Sequence, residues 1–510
     1  MTVLVGRDDL SFAEVVAVAR EGERAALAPG ASRRMASSRA LLEAAADRSC
    51  PVYGITTGFG ALADTPIPPD ARAELQHALL RSHAAGMGPP APREVVRAML
   101  LLRANTLAKG YSGVRPALAR GLLALLNAGI TPFVPVHGSL GASGDLAPLA
   151  HAALCLVGEG WVLGDDGGRA ETGPVLRAAG LRPLRLAAKE GLALLNGTDG
   201  MLAMLVLACV DAAKLFRTGD VTCAMSVEAS LATDRPFAPE LQAIRPHPGQ
   251  ARSAANLGRL LAGSPIVASH RGSDHAVQDA YSLRCHPQVM GAARDTLDFA
   301  AQVATRELAA AVDNPVVLPD GRIESTGNFH GEPLAFAGDF LAVAAAEVGA
   351  IAERRIDRLL DPNRSRGLPA FLAPEPGVNS GLMIAQYTAA ALVAENRRLA
   401  QPASLDSLPT SGMQEDHVSM GWSAGLKLRR VLENLARVLA IEAVCGAHGL
   451  DLRAPLAPAG GTGAVRDRLR TRVAGPGPDR FLAPDLAAAE ELVRCGSLLQ
   501  AAQDAVGPLG

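Results

Sequence analysis

The sequence predicts a mainly α-helical protein, an elongated bundle of long helices with a smaller mixed part at its N-terminal end. Three observations carry that expectation. Residues Leu334–Leu360, Gly381–Leu399 and Met420–Val444 repeat apolar residues at three-to-four spacing, enough for roughly five to seven helical turns each. Alanine and leucine dominate those segments while aromatics make up only 3% of the chain, a composition suited to close helix packing. Proline and glycine mark the ends of the periodic segments rather than their middles. A chain of 510 residues is long enough for two to four domains, and the change in pattern places a division between 1–112 and 113–510.

The individual elements follow from local signals. Asp70–Ala84 is amphipathic, with Leu75 and Leu79 on one face, and stops at Gly86-Met87-Gly88-Pro89-Pro90. Pro92 opens a second helix running to Gly110. Pro116 opens a third, which Asn127-Ala128-Gly129 closes, proline at the start and glycine past the end being their preferred places. Hairpins are expected at Trp161–Gly168 and Val316–Gly321. The stretch from Ala454 to Pro478 is rich in Gly, Pro and Arg and reads as looser chain, ahead of a last helix near Pro484–Ala502. No repeat of 20–50 residues and no low-complexity tract is present.

Composition narrows the function. Net charge is −2 with scattered basic residues, so no nucleic-acid or membrane-surface footprint is expected. The most continuous apolar stretch, Met201–Val210, is too short to span a bilayer, and the charged N-terminus does not read as a signal peptide. Seven cysteines, at 50, 155, 209, 223, 285, 445 and 495, include no CxxC pair. That pattern argues against a zinc site and a disulfide framework and favours the reduced cytoplasm. Lysine is scarce, at 109, 189, 214 and 427. Nothing around these four suggests a pyridoxal Schiff base.

The chemistry concentrates in GSLGASGDLAPLAH, residues 138–151. One reading is a helix start, with Ser143 or Asp145 as N-cap and Pro148 in the first turn; another is an anion cradle. A third is covalent. The Gly144 amide nitrogen can close a five-membered ring on the Ala142 carbonyl carbon, and loss of two waters, one of them the Ser143 hydroxyl, leaves an exocyclic methylene. Glycine permits the strained backbone and close approach this requires, alanine leaves the attacked carbonyl open, and serine carries the leaving group.

This segment resembles the one that forms the methylidene-imidazolone (MIO) group of the histidine and aromatic amino-acid ammonia-lyases. Further segments resemble the same family, its histidine-specific members above all, and in the same order: YGITTGFG (53–60), RSHAAGMG (81–88), LLNGTDG (194–200), VQDAYSLRCHPQVMGA (277–292), DNPVV (313–317), GNFHGEP (327–333) and QEDHVSMG (414–421). The resemblance runs from about residue 50 to the C-terminus. It implies a fold of the aspartase/fumarase-like superfamily and elimination of ammonia from an amino acid, with MIO from Ala142-Ser143-Gly144 as electrophile and no pyridoxal phosphate or metal. A fumarase-type enzyme would carry a GSSxMPxKxN loop, which is absent, and a catalytically silent scaffold would not need the intact tripeptide.

Residue by residue, the resemblance makes Tyr53 the base for the substrate β-proton. On physical grounds alone Tyr53 is a half-buried aromatic beside a glycine turn. An unshifted phenol has a pKa of about 10, so the role demands a lowered pKa or a cation nearby. Gln278, Tyr281 and Arg284 recur every three residues and, if helical, share a stripe. Arg284 is then either a solvated side chain paired with an acid or, by the resemblance, the bidentate partner of the substrate carboxylate. Tyr281 would support the MIO ring or the departing amine. Asn196 reads as a helix-start residue and by resemblance binds the carboxylate or the MIO oxygen; Phe329 reads as core and by resemblance packs near MIO. His83 and Glu415, beside Gln414, match the histidine-specific pattern, in which they hold the substrate imidazole. Relatives acting on phenylalanine carry an apolar residue and Gln there, and a tyrosine or phenylalanine ammonia-lyase or aminomutase is the alternative. The chain departs from a common family form at Gly412-Met413-Gln414, which leaves the fine shape of the pocket open. The resemblance also implies a homotetramer with active sites shared between subunits, and L-histidine converted to trans-urocanate.

Overall fold

The computed structural model describes residues 2–46, 53–272 and 277–510; Cys50 lies outside them. The chain is mainly helical and divides into two compact units. The first takes residues to Leu207 with Ala300–Asp339 and Pro402–Leu426; the second takes Ala208–Phe299, Phe340–Gln401 and Lys427–Gly510. The position expected for a division, after residue 112, falls inside the first unit.

The first unit is built around Arg93–Ala108, a helix buried on every side from Val95 onward. It therefore shows no solvent stripe, and its polar residues are matched individually. Arg97 donates to the carbonyls of Val18 and Leu126, and Asn105 accepts from the Gly6 amide at 2.7 Å. Arg103 pairs with Asp199 at 2.9 Å, both almost wholly buried. Pro116–Asn127 packs alongside, opened by Pro116 and closed by Gly129 at φ +72°, as the punctuation predicts. The Asp70–Ala84 signal resolves into a short 3-10 turn and the helix Arg72–His83. Among the described residues, sheet is confined to two-stranded pieces. Both expected hairpins form, Trp161 pairing with Glu171 and Val316 with Glu324.

Long helices dominate the remainder: Asp199–Ala229, His286–Ala309, Glu332–Leu360, Met383–Leu399 and Gly421–Leu452. The apolar run Met201–Val210 lies inside the helix Asp199–Ala229. Glu190–Ala229 and Glu332–Leu360 are each long and apolar enough to cross a membrane, but their apolar windows are 94% and 61% buried in the protein, as core helices are. In the second unit, the wholly buried Asp220 carboxylate takes hydrogen bonds from Ser253, Asn256, His286 and Arg294, so its charge is matched.

Two sequence expectations fail here. The stretch Ala454–Pro478 is not uniformly loose: Gly460–Arg470 is a helix. Tertiary contacts override its glycines, because the Ala459 amide and the Thr462 hydroxyl at its start both donate to the buried Glu228 carboxylate. The last helix is two, Ala483–Arg494 and Ser497–Val506, separated by Gly496 at φ +80°, a conformation that ends a helix.

Candidate active site

The glycine-rich segment does more than start a helix. Leu146–Leu156 begins there with Asp145 at its N-cap, but the Asp145 side chain does not cap it. Instead Asp145 Oδ2 accepts from the Gly200 and Met201 amides at 2.9 Å each, in the first turn of Asp199–Ala229, and Oδ1 accepts from Ser139 at 3.1 Å. Burial pushes the Asp145 carboxyl up to about 7 against those donors. Asp145 thus ties the loop to a second helix.

Between these anchors the tripeptide backbone is left-handed: φ is +51° at Ser143 and +81° at Gly144, strained for serine. A Cβ on Gly144 would stand 2.2 Å from the Gly197 carbonyl oxygen, so only glycine fits. The Asp145 amide donates to that same oxygen at 2.8 Å. The turn at Asn196-Gly197 therefore lies directly against Gly144. Asn196 closes the helix Glu190–Leu195 rather than starting one, which corrects the sequence reading. Its Nδ2 donates to the Asn314 carbonyl at 2.8 Å, while Oδ1 is buried without a hydrogen-bond partner among the described residues. Arg103, from the central buried helix, donates to the Asn196 carbonyl.

A phenol, an imidazole and a carboxylate gather in the same unit. Gly54 packs against Leu192, which seats the Tyr53 loop on the helix leading to Asn196. The Gly60 amide donates to the Tyr53 hydroxyl at 3.0 Å, and Phe59 meets the ring edge-on at 6.3 Å between centroids. His83 is the last residue of its helix, with Nδ1 3.0 Å from the Ser82 hydroxyl. Glu415 sits on a tight loop: Ser411, Gly412 and Met413 are all left-handed, and the Thr410 hydroxyl holds Glu415 Oε2 at 3.0 Å. Gln414, next to it, is exposed.

The Glu415 charge bears on both rings. Burial raises the Tyr53 phenol above its usual value, the Gly60 amide pulls it back, and the Glu415 charge raises it further, the opposite of the lowered pKa expected for a base, with an anion rather than a cation beside it. Burial lowers His83, the Leu79 carbonyl and Glu415 acting against it. One carboxylate therefore acts on both rings. The chain continues from this loop to Met420, whose amide donates to the Leu140 carbonyl at 2.8 Å, next to the tripeptide. Gly331 packs against Met201 and Ser419, which brings the half-buried Phe329 segment to the same region. Ser411, whose Oγ accepts from the Ala61 amide at 3.2 Å, and Thr410 were not singled out from sequence; a lone hydroxyl in a loop carries no signal there.

Tyr281 and Arg284 belong to the second unit. Only Tyr281–Arg284 is helical, so Gln278 lies outside it and the expected stripe does not form. Tyr281 is 71% exposed. Arg284 stacks its guanidinium on that ring at 4.6 Å and donates from Nε to the Asp279 carbonyl at 2.9 Å. Among the described residues that backbone oxygen is its hydrogen-bond partner, while the Asp279 carboxylate is taken by Arg366 and the Thr233 amide.

This geometry can be set beside known proteins. The family model for aromatic amino acid lyases matches residues 10–471. Histidine ammonia-lyase from Streptomyces coelicolor is 58% identical over 509 residues, covering 100% of this chain and 99% of the relative. Histidine ammonia-lyase from Trypanosoma cruzi has a crystal structure that superimposes with a TM-score of 0.91 at 41% identity, covering 99% of this chain and 96% of that one. The tyrosine aminomutase of Streptomyces globisporus superimposes with a TM-score of 0.95 at 38% identity, with both chains covered fully.

Proposed function

The chain belongs to the aromatic amino acid lyase family, and we propose that it eliminates ammonia from L-histidine to give trans-urocanate. The observation that carries the choice of substrate is Glu415, a half-buried carboxylate held by the Thr410 hydroxyl in the same unit as Tyr53 and His83, in a chain 58% identical to a histidine ammonia-lyase. Histidine presents an N–H that needs such an acceptor, and a phenyl ring would leave it unmatched. A pocket built for a polar group can reject its apolar isostere by roughly 10⁴-fold.

The reading includes MIO formed from Ala142, Ser143 and Gly144. The residues fit the group: the tripeptide is already left-handed at Ser143 and Gly144, Gly144 has no room for a side chain, and the adjoining Asn196 keeps a buried oxygen with no hydrogen-bond partner among the described residues. When formed, MIO supplies an electrophilic carbon that makes the substrate amine a better leaving group. The chain's own residues do the rest. Tyr53 takes the β-proton onto its phenolate oxygen; the C–H electron pair becomes the new double bond as the C–N bond breaks and ammonia departs. Asn196 and Arg284 hold the substrate carboxylate, and Tyr281 steadies the departing amine. His83 and Glu415 orient the imidazole, with Gln414 beside them, and Phe329 lines the ring.

The same reading makes the enzyme a cytoplasmic homotetramer with shared sites. A Tyr281 that is 71% exposed in the single chain supports it, and light scattering on the purified protein tests it.

The test of substrate is parallel absorbance assays with histidine, phenylalanine and tyrosine, whose products differ in chromophore. Histidine should dominate, and preference for either other amino acid leaves only the reaction class standing. His83→Leu and Glu415→Gln should each cut histidine turnover. The double variant should shift relative activity toward phenylalanine, since the buried polar groups an apolar ring leaves unpaired would be gone. Retained histidine preference in the double variant would return His83 to a structural helix end.

Arg284→Lys keeps the charge and loses the planar fork. Its kcat/KM should fall by a factor of tens, on the scale of about 1.5–3 kcal/mol for a charged hydrogen bond. A change within about 0.5 kcal/mol is what a surface residue would give, and would remove Arg284 from the carboxylate site.

A further inference from the structure

His330 and His417 come from separate stretches of the first unit and meet side by side. His330 Nε2 stands 3.3 Å from His417 Nδ1, with the rings tilted by 31° and centroids 5.3 Å apart. Glu332, the first residue of Glu332–Leu360, points its carboxylate at the pair: Oε2 lies 4.0 Å from His330 Nδ1. One ligand atom from each of the three falls within 4.8 Å of the others. A hydrogen bond between the two rings would explain their approach but not the carboxylate. Glu332 Oε2 is buried and has no hydrogen-bond partner among the described residues, which is costly unless a donor or a cation comes closer than the His330 ring does.

A cation explains both observations at once. Two imidazole nitrogens bound at 2.0–2.1 Å to a tetrahedral ion stand about 3.3 Å apart, the separation seen here. Two imidazoles and one carboxylate also form a familiar three-ligand set for Zn²⁺ and its neighbours, with remaining positions left to water. Imidazole donors disfavour Mg²⁺ and Ca²⁺, which prefer oxygen. The absence of CxxC pairs says nothing against a site of this kind. His417 is exposed and gives an ion a way in. The Glu332 amide also reaches His330 Nδ1, at 3.3 Å. That contact is long for a hydrogen bond and is given up when His330 Nε2 binds a metal and Nδ1 takes the ring proton.

We propose that His330, Glu332 and His417 form a binding site for one divalent transition-metal cation of the Zn²⁺ and Co²⁺ class. Bound there, the ion clamps the segment carrying Phe329 to the loop carrying Glu415. The proposal does not depend on which amino acid the enzyme uses.

Co²⁺ is the probe, because its visible absorption reports imidazole coordination independently of turnover. Chelator-treated, tag-free full-length protein is titrated with Co²⁺ and followed by absorbance and calorimetry. One ion per chain should bind with a visible band that Zn²⁺ abolishes and excess Mg²⁺ does not. His417→Gln, a change at an exposed position, and Glu332→Gln should each raise the Co²⁺ midpoint by at least about tenfold, since even outer-shell changes cost that much at metal sites. Both should keep the parent far-UV CD, and a His77→Gln control should bind as the parent does. Absence of saturable binding to the parent overturns the proposal. So does binding that is equal in the parent and both variants, which would place the ion on other histidines.

Discussion

Ser143→Ala is expected to abolish turnover while leaving the helical CD intact. The parent protein should weigh two waters less than its sequence mass, and peptide mapping should locate the deficit across residues 142–144. Alanine has no hydroxyl to lose, so the variant cannot form the exocyclic methylene and its mass signature should change accordingly. The loss in rate should exceed the roughly 10²–10³ that a single hydrogen-bond donor contributes, because the electrophile itself is missing. The fold has little reason to respond. Ser143 is half-buried in a loop, and alanine at φ +51° meets the same left-handed strain of about 1–2 kcal/mol that serine already bears. What holds the loop in place is elsewhere, in Asp145 on the Gly200 and Met201 amides and in Gly144 against Gly197. Active enzyme of unmodified mass would sink the covalent reading.

How far the sequence foretold this arrangement depends on the range of the signal. Helices announced by periodicity and by proline or glycine at their ends form where expected, because those signals are local: Pro116 opens its helix and Gly129 closes it. The helix Gly460–Arg470 was invisible, since it depends on Glu228, more than two hundred residues earlier, accepting from Ala459 and Thr462. Asp145 misled for the same reason. Its neighbours in sequence suggest a cap for its own helix, and only the fold reveals that it serves another. The candidate site was legible as residue types, since Tyr53, His83, Asn196 and Glu415 sit in motifs. Their electrostatic coupling was not, because a carboxylate raising a phenol 362 positions away in sequence leaves no trace in either motif. The stripe through Gln278, Tyr281 and Arg284 fails because helical spacing was read from three residues, where the helix has only four.

Tyr53→Phe is expected to lower kcat for histidine by about 10²–10⁴, the usual contribution of a positioned base, with little change in stability. The ring keeps its edge-on contact with Phe59, and only the hydrogen bond from the Gly60 amide is lost, worth about 1 kcal/mol. The pH dependence distinguishes a base from an aromatic that merely shapes the pocket. A base must be deprotonated to act, so turnover rises with pH as the phenolate forms. Burial and the Glu415 charge both hold the phenol above its ordinary value, and the Gly60 amide alone among its main influences lowers it. The rising limb of the parent therefore lies toward high pH. Glu415→Gln removes one of the two raising influences and should move that limb to lower pH even as it weakens histidine binding. In Tyr53→Phe the limb should vanish. The substrate amine titrates too, but identically in all three enzymes, so only differences between them are read. A Tyr53→Phe enzyme that keeps both its rate and its pH profile would leave Tyr53 as an aromatic beside a glycine turn, with the β-proton going to another group.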